Sequence, residues 1–197
     1  MTAVVVKVSV RILAEFVHRR GDLHARLDGR ARAEEGIAVQ RRLQRDRPAA
    51  YERERTVALD VELATGPLRV TGRVDGCDIS AEPWLIEEFK TTRANPALAH
   101  RHHESAHWAQ AMLYGGLLAR ERAFAGPVSL RLLYCHPDTL AVEAYEREES
   151  AATLAEFLDQ TLETYGQWLA RQAAHEAARD ERLSTLSFPF ASYRPYQ

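Results

Sequence analysis

The stretch that most limits what this chain can become is Val70 to Thr92, V-T-G-R-V-D-G-C-D-I-S-A-E-P-W-L-I-E-E-F-K-T-T. Two strand-length apolar runs are separated by Cys77 to Pro83, a segment rich in turn formers. Side chains of an extended strand alternate faces, so Glu88 and Lys90 point one way while Phe89 points the other, into a packed layer. A carboxylate and an ammonium therefore share one surface. Asp75 ends the preceding run, and antiparallel pairing of the two runs brings it toward Glu88. Two carboxylates beside a lysine suit a divalent cation, with a general base or charge stabiliser at hand.

The flanking sequence builds a scaffold around that stretch. Ser9 is a candidate N-cap for a helix through about Arg20, where Val10, Leu13, Ala14, Phe16 and Val17 form an apolar stripe, and Gly21-Asp22 ends it. A second helix is predicted over Ala31 to about Arg45, with Ile37 and Leu43 inward and Arg41, Arg42, Arg45 and Arg47 outward. From Tyr51 to Leu63 the alternation of Val57, Leu59, Val61 and Leu63 against Thr56, Ala58, Asp60 and Glu62 marks a half-buried strand. Gly66-Pro67 supplies the turn into Leu68 to Asp75, and Trp84 to Thr92 completes a three-strand meander. Thr91, Thr92 and Arg93, just beyond the lysine, are placed to meet a phosphate.

Asn95 to Ser105 reads as a loop or helix entry, and a long apolar helix continues from it through Gly115-Gly116 to about Arg122. Gln110 and Tyr114 lie one turn apart on it and face the same way. Four histidines, His100, His102, His103 and His107, crowd its start. A zinc site there lacks a cysteine to complete a tetrahedral set, so a solvated segment is the plainer reading, with His107 a candidate contact to nucleic acid. Val128 to His136 and Thr139 to Arg147 read as a hairpin about Pro137-Asp138, with Leu130, Leu132 and Tyr134 alternating against Arg131 and Leu133. Ser150 then caps a helix through roughly Ala178.

At 197 residues, with 46% hydrophobic and 27% charged residues, the chain is an ordinary single domain. No apolar run reaches the roughly 20 residues that span a bilayer, and Ala3 to Val8 lacks a secretory signal, so a cytoplasmic location is expected. The net charge of -2 hides an asymmetry: residues 1 to 50 hold eleven Lys and Arg against six Asp and Glu, leaving the acidic excess to the rest. That division allows a basic face for nucleic acid, although a solvated helical surface explains it equally well.

Asp75, then Glu88-x-Lys90 on the next hydrophobic strand, then Gln110-x-x-x-Tyr114 on a following helix, resembles the PD-(D/E)XK nuclease superfamily, specifically its RecB-like branch. The resemblance covers about the first three-quarters of the chain. It implies an α/β restriction-endonuclease-like core, a central mixed sheet of about five strands flanked by helices, over residues 1 to 185. It also implies Mg2+- or Mn2+-dependent hydrolysis of DNA, with single strands or strand ends as substrate. Asp75, Glu88 and the main-chain carbonyl of Phe89 would hold the metal, Lys90 would orient or deprotonate water, and Gln110 and Tyr114 would position the substrate strand.

Glu34-Glu35-Gly36-Ile37-Ala38-Val39-Gln40 is similar to the first motif of that branch, but Gln40 stands where the family has histidine, and an amide is a poorer ligand than imidazole. Either Glu35 (or Glu34) supplies the missing coordination or a second metal binds weakly. Both glutamates are equally explained as first-turn acids favoured by the helix dipole. With only Cys77 and Cys135, the chain cannot hold the four-cysteine iron-sulfur cluster that some RecB-like nucleases carry. The tail Leu186 to Gln197 resembles the F-P-x-x-x-x-R-P-x-Q segment ahead of the P-loop of iron-sulfur-type superfamily-2 repair helicases, which implies a linker from residue 186 and a helicase domain beyond residue 197. Two alternatives stand beside the nuclease: a catalytically weak or inactive module that binds and guides single-stranded DNA, and a structural domain in which the motif is coincidence.

Overall fold

The computed structural model describes residues 5–19 and 30–186, without the side chains of 30–35 and 99–104. The expectations at Gly21-Asp22 and over 187–197, and for the side chains of Glu34, Glu35, His100, His102 and His103, lie outside the described residues.

Ser9 ends one element and starts another. It closes β1 (Val6–Ser9), and its hydroxyl accepts the N–H of Ile12 at 3.2 Å to cap α1 (Val10–His18). β1 is absent from the sequence reading and raises the expected five strands to six. Then follow α2 (Arg30–Leu43), β2 (Glu52–Leu63), β3 (Gly66–Asp78) and β4 (Trp84–Thr91). Gly66 is already paired with Leu63, so Ala64 and Thr65 make the turn expected at Gly66-Pro67. α3 (Pro96–Arg122) takes the helix-entry alternative for 95–105, because Asn95 accepts the N–H of Ala97 and Pro96 opens the helix. β5 (Pro127–Cys135), β6 (Val142–Ser150) and α4 (Ala151–Ser184) complete the fold. α4 outruns the expected end at Ala178 by most of two turns, since neither glycine nor proline stands between Ala178 and Ser184.

The strands form one mixed sheet in the order β1-β3-β4-β5-β6, with β2 also on β3. β2 covers β3 antiparallel from Gly66 to Cys77, with a gap at Asp75. β1 and β4 must therefore share the opposite edge. β1 runs parallel against Leu68 to Thr71, and β4 runs antiparallel against Gly76 to Asp78. Between them, Gly72 to Asp75 face a fork in the sheet. β5 continues parallel to β4 and β6 antiparallel to β5.

Helices cover both faces. Val10, Leu13, Val70, Ile86, Leu113, Leu118, Leu130, Leu154 and Leu158 are fully buried between one face and α1, α3 and α4. A Cβ at Gly116 would meet the Leu154 carbonyl oxygen at 2.7 Å, so that glycine lets α3 and α4 touch. On the other face α2 closes a smaller core of Val39, Leu133 and Cys135, with Phe89 packed against it. Leu133, which alternates against Leu132 and Tyr134, is thus buried on the second face. Among the described residues no helix is long and apolar enough to cross a membrane.

Candidate active site

β4 carries the site because its pleat divides its residues cleanly. Trp84 and Ile86 enter the main core, and Glu88 and Lys90 follow on that face, whereas Phe89 joins the α2 core. Lys90 Nζ donates to Glu88 Oε1 at 2.7 Å and to Gln110 Oε1 at 3.0 Å, tying strand to helix α3. Asp75 reaches the same place from β3, where its Oδ2 accepts the N–H of Phe89 at 2.8 Å. The expected pairing of the two carboxylate strands is therefore observed, and Gln110 and Tyr114 join the group. Tyr114 lies on Gly72, where a Cβ would stand 2.6 Å from its ring, so only glycine admits the phenol beside the fork.

The backbone is irregular at Asp75. The ladder pairs Arg53 with Gly76 and Arg55 with Val74 but skips Glu54 and Asp75, and Glu54 adopts φ 51°. Val74 and Cys77, three residues apart, both enter the main core, so the alternation slips between them. Such interruptions re-aim side chains beside active sites. At the break the Asp75 carbonyl accepts Gln44 Nε2 at 2.7 Å and Gln40 Nε2 at 3.3 Å. Gln40, where the family's histidine would stand, thus reaches the main chain behind Asp75.

Electrostatically the site is strained. Glu88 is 2% exposed, and among the described residues its buried Oε2 has no hydrogen-bond partner. Burial pushes its carboxyl up to about 7, against the pull of the Lys90 charge and with the Asp75 charge adding to the rise. Burial also raises Asp75, opposed by the Phe89 N–H, Lys90 and Arg73. The Tyr114 hydroxyl is driven well above its ordinary value by burial and by the Glu88 charge. Two carboxylates that resist ionising side by side, one with an orphaned oxygen, fit a hard cation that would neutralise both. Among the described residues no three His, Cys, Asp or Glu converge as a cage. Mg2+ usually keeps several waters and takes one or two carboxylates, so the pair fits that habit. The described bond from Phe89 to the site is through its N–H. His107 Nδ1 lies 2.7 Å from Tyr134 Oη, one of its contacts.

Sequence reasoning passed over the residue before Glu88. Glu87 is 0% exposed on the α2 face, where Oε1 accepts Arg47 Nη2 at 2.5 Å and Arg131 Nη1 at 2.9 Å. Its Oε2 accepts the Tyr51 hydroxyl at 2.7 Å, which in turn accepts Gln44 Nε2 at 3.2 Å. Arg47, expected to face outward, is drawn in by this carboxylate. The available signal was the Glu87-Glu88 pair itself, since alternation must send one of two adjacent acids to each face.

A forked mixed sheet that presents Asp-Glu-Lys against a glutamine-bearing helix defines a nuclease architecture. The chain belongs to the PD-(D/E)XK nuclease superfamily, whose family model matches residues 6–189. No curated protein matches it. Among solved structures it is similar to the crystal structure of SSO0001, at 17% identity and a TM-score of 0.46 over 80% of this chain and 75% of that one.

Proposed function

We propose that the protein is a metal-dependent nuclease that hydrolyses DNA phosphodiester bonds, of the RecB-like kind, acting on single strands or strand ends as the module of a repair helicase. The observation that carries the reading is Glu88, buried next to Asp75 with one oxygen on Lys90 and the other unpartnered. Asp75 and Glu88 would hold Mg2+ or Mn2+, with the Phe89 carbonyl and Glu35 as further candidate ligands. When bound, the ion acidifies a coordinated water and offsets charge on the scissile phosphate.

The chain's own groups do the rest. Glu88 and Gln110 occupy two of the three N–H groups of Lys90, leaving the third for a phosphate oxygen or the attacking water. A lysine held by a carboxylate is disfavoured as a base, so Lys90 orients and stabilises charge. Arg11 and Arg73, both exposed and close enough to act electrostatically on Glu88 and Asp75, would track the DNA backbone with strong salt dependence. Tyr114 and Gln110 line the substrate side, with His107 a turn away on α3. The helicase context rests on the sequence of residues 186–197.

Incubation of labelled single- and double-stranded DNA with Mn2+ or with EDTA tests this. Cleavage that needs metal and disappears in Lys90→Ala is the expected result. The second reading, a module that binds single strands without cutting, is favoured by Gln40, whose amide reaches a main-chain carbonyl instead of the site. DNA binding with no cleavage in any metal would establish it and overturn the first.

A further inference from the structure

The carboxylates of Asp75 and Glu88 stand just past the end of the ladder that joins their strands. Pairing between β3 and β4 covers Gly76 with Glu87, Cys77 with Ile86 and Asp78 with Leu85, and stops there. The fork then opens, and β2 skips Asp75 on the other edge. Ladder hydrogen bonds therefore do not fix the spacing of the two acids. On the site face the Phe89 N–H holds the Asp75 carboxylate at 2.8 Å, and behind the sheet runs a continuous chain of buried and part-buried polar contacts. It runs from Glu87, the covalent neighbour of Glu88, through Tyr51 Oη and Gln44 Nε2 to the carbonyl of Asp75. Arg47 and Arg131 clamp its carboxylate end from the loop after α2 and from β5.

The backbone has been shaped to admit this chain. The Tyr51 hydroxyl is lodged over the α-carbon of Gly76, where a Cβ would lie 1.5 Å from it, so any side chain there would expel the phenol. Asp75-Gly76 thus pairs a site acid with a residue that must be glycine for a reason on the opposite face.

We propose that Glu87, Tyr51 and Gln44, held by Arg47 and Arg131, are positioning residues that set the distance between Asp75 and Glu88 and thereby the site's affinity for a divalent cation. This rests on the nuclease reading above. Metal ligands tolerate errors of only about 0.2 Å, and residues that orient ligands typically change metal affinity by about 10- to 100-fold when altered. The network lies on the face away from Lys90 and Gln110, so its loss weakens metal binding without removing a contact to the nucleic acid.

The test uses Tyr51→Phe and Gln44→Met, mild changes that leave the Glu87 ion pairs in place. Mn2+ affinity of the metal-free full chain is measured by calorimetry at 20 °C, with circular dichroism confirming that each variant is folded. Cleavage of a single-stranded oligonucleotide is then followed across Mn2+ concentrations. The expected result is Mn2+ binding weakened about tenfold, with the lost rate restored by excess Mn2+ and KM for DNA within about twofold of wild type. A lowered melting temperature with unchanged Mn2+ affinity would overturn the inference and leave the network a support of the fold alone. A wild-type protein that neither binds Mn2+ nor cleaves DNA would remove the nuclease reading itself, and this inference with it.

Discussion

Glu87 and Glu88 are adjacent in sequence, equally buried, and treated in opposite ways. Glu87 meets two guanidinium groups and a phenol, so both of its oxygens are satisfied. Glu88 meets one ammonium, and its second oxygen has no partner. Placing a carboxylate in a dry interior costs several kcal/mol unless it is paired and hydrogen-bonded. The α2 face meets that requirement within the protein, whereas the α3 face leaves it unmet. A satisfied acid holds structure together; an unsatisfied one is poised for an external charge. Burial alone therefore does not distinguish a structural acid from a catalytic one, but the tally of donors does.

The sharpest way to break this contrast is to remove each acid in turn. Glu87→Ala deprives Arg47 and Tyr51 of a partner, leaves Arg131 with Glu146, and should cost about 3 kcal/mol in urea-induced unfolding. Glu88→Gln should cost the metal-free protein no stability at pH 7 while lowering cleavage by about a thousandfold, or about 4 kcal/mol in the barrier. Equal losses of stability in both would erase the distinction.

A somewhat smaller effect appears with pH. Glu88 titrates at about 7 in the folded chain against an ordinary value of 4.5. The stability it contributes is thus complete below about pH 4.5 and is lost as pH rises through 7, on the order of 3 kcal/mol. Thermal melts of metal-free wild type and Glu88→Gln, whose amide imitates the protonated acid, should converge near pH 4 and separate toward pH 8, with wild type the less stable there. Mn2+ should restore the wild type at pH 8. A constant difference across the range would contradict the assignment.

Gln110→Leu should sharpen the contrast more gently, by leaving Lys90 with Glu88 alone. Here kcat should fall about tenfold, or about 1.4 kcal/mol, in single-turnover cleavage, with little change in folding. The smallest effect belongs to a pair exposed to water: Asp60→Ala, which removes the exposed contact to Arg69 at 3.1 Å, should shift stability by less than about 0.5 kcal/mol and leave cleavage unaltered.

The Asp75, Glu88, Lys90, Gln110 and Tyr114 constellation was legible because each member follows a local period, two along a strand or about four along a helix. The antiparallel pairing of β3 and β4 needed only the short turn between them. Glu87 was not legible as an anchor, because its partners Arg47, Tyr51 and Arg131 come from three distant places and each reads locally as a surface residue. β1 was missed for a related reason: four residues are too few to show a pattern, and their parallel partner is β3, beyond α2 and β2. Over 96–105 the polar residues left loop and helix entry both open, although Asn95-Pro96 is a recognisable helix start.

Helix α4 is continuous in backbone but not in its surroundings. Its first half buries Leu154, Leu158, Leu162 and Tyr165, whereas every residue from Ala170 to Ser184 is exposed. At 1.5 Å per residue that second half extends roughly 22 Å with no buried side chain among the described residues to support it. Its amides should exchange with solvent through local fraying, in shallow openings, while those near Leu158 should exchange only when the whole domain unfolds. One uninterrupted helix thus spans nearly the full range of opening free energies available to the molecule.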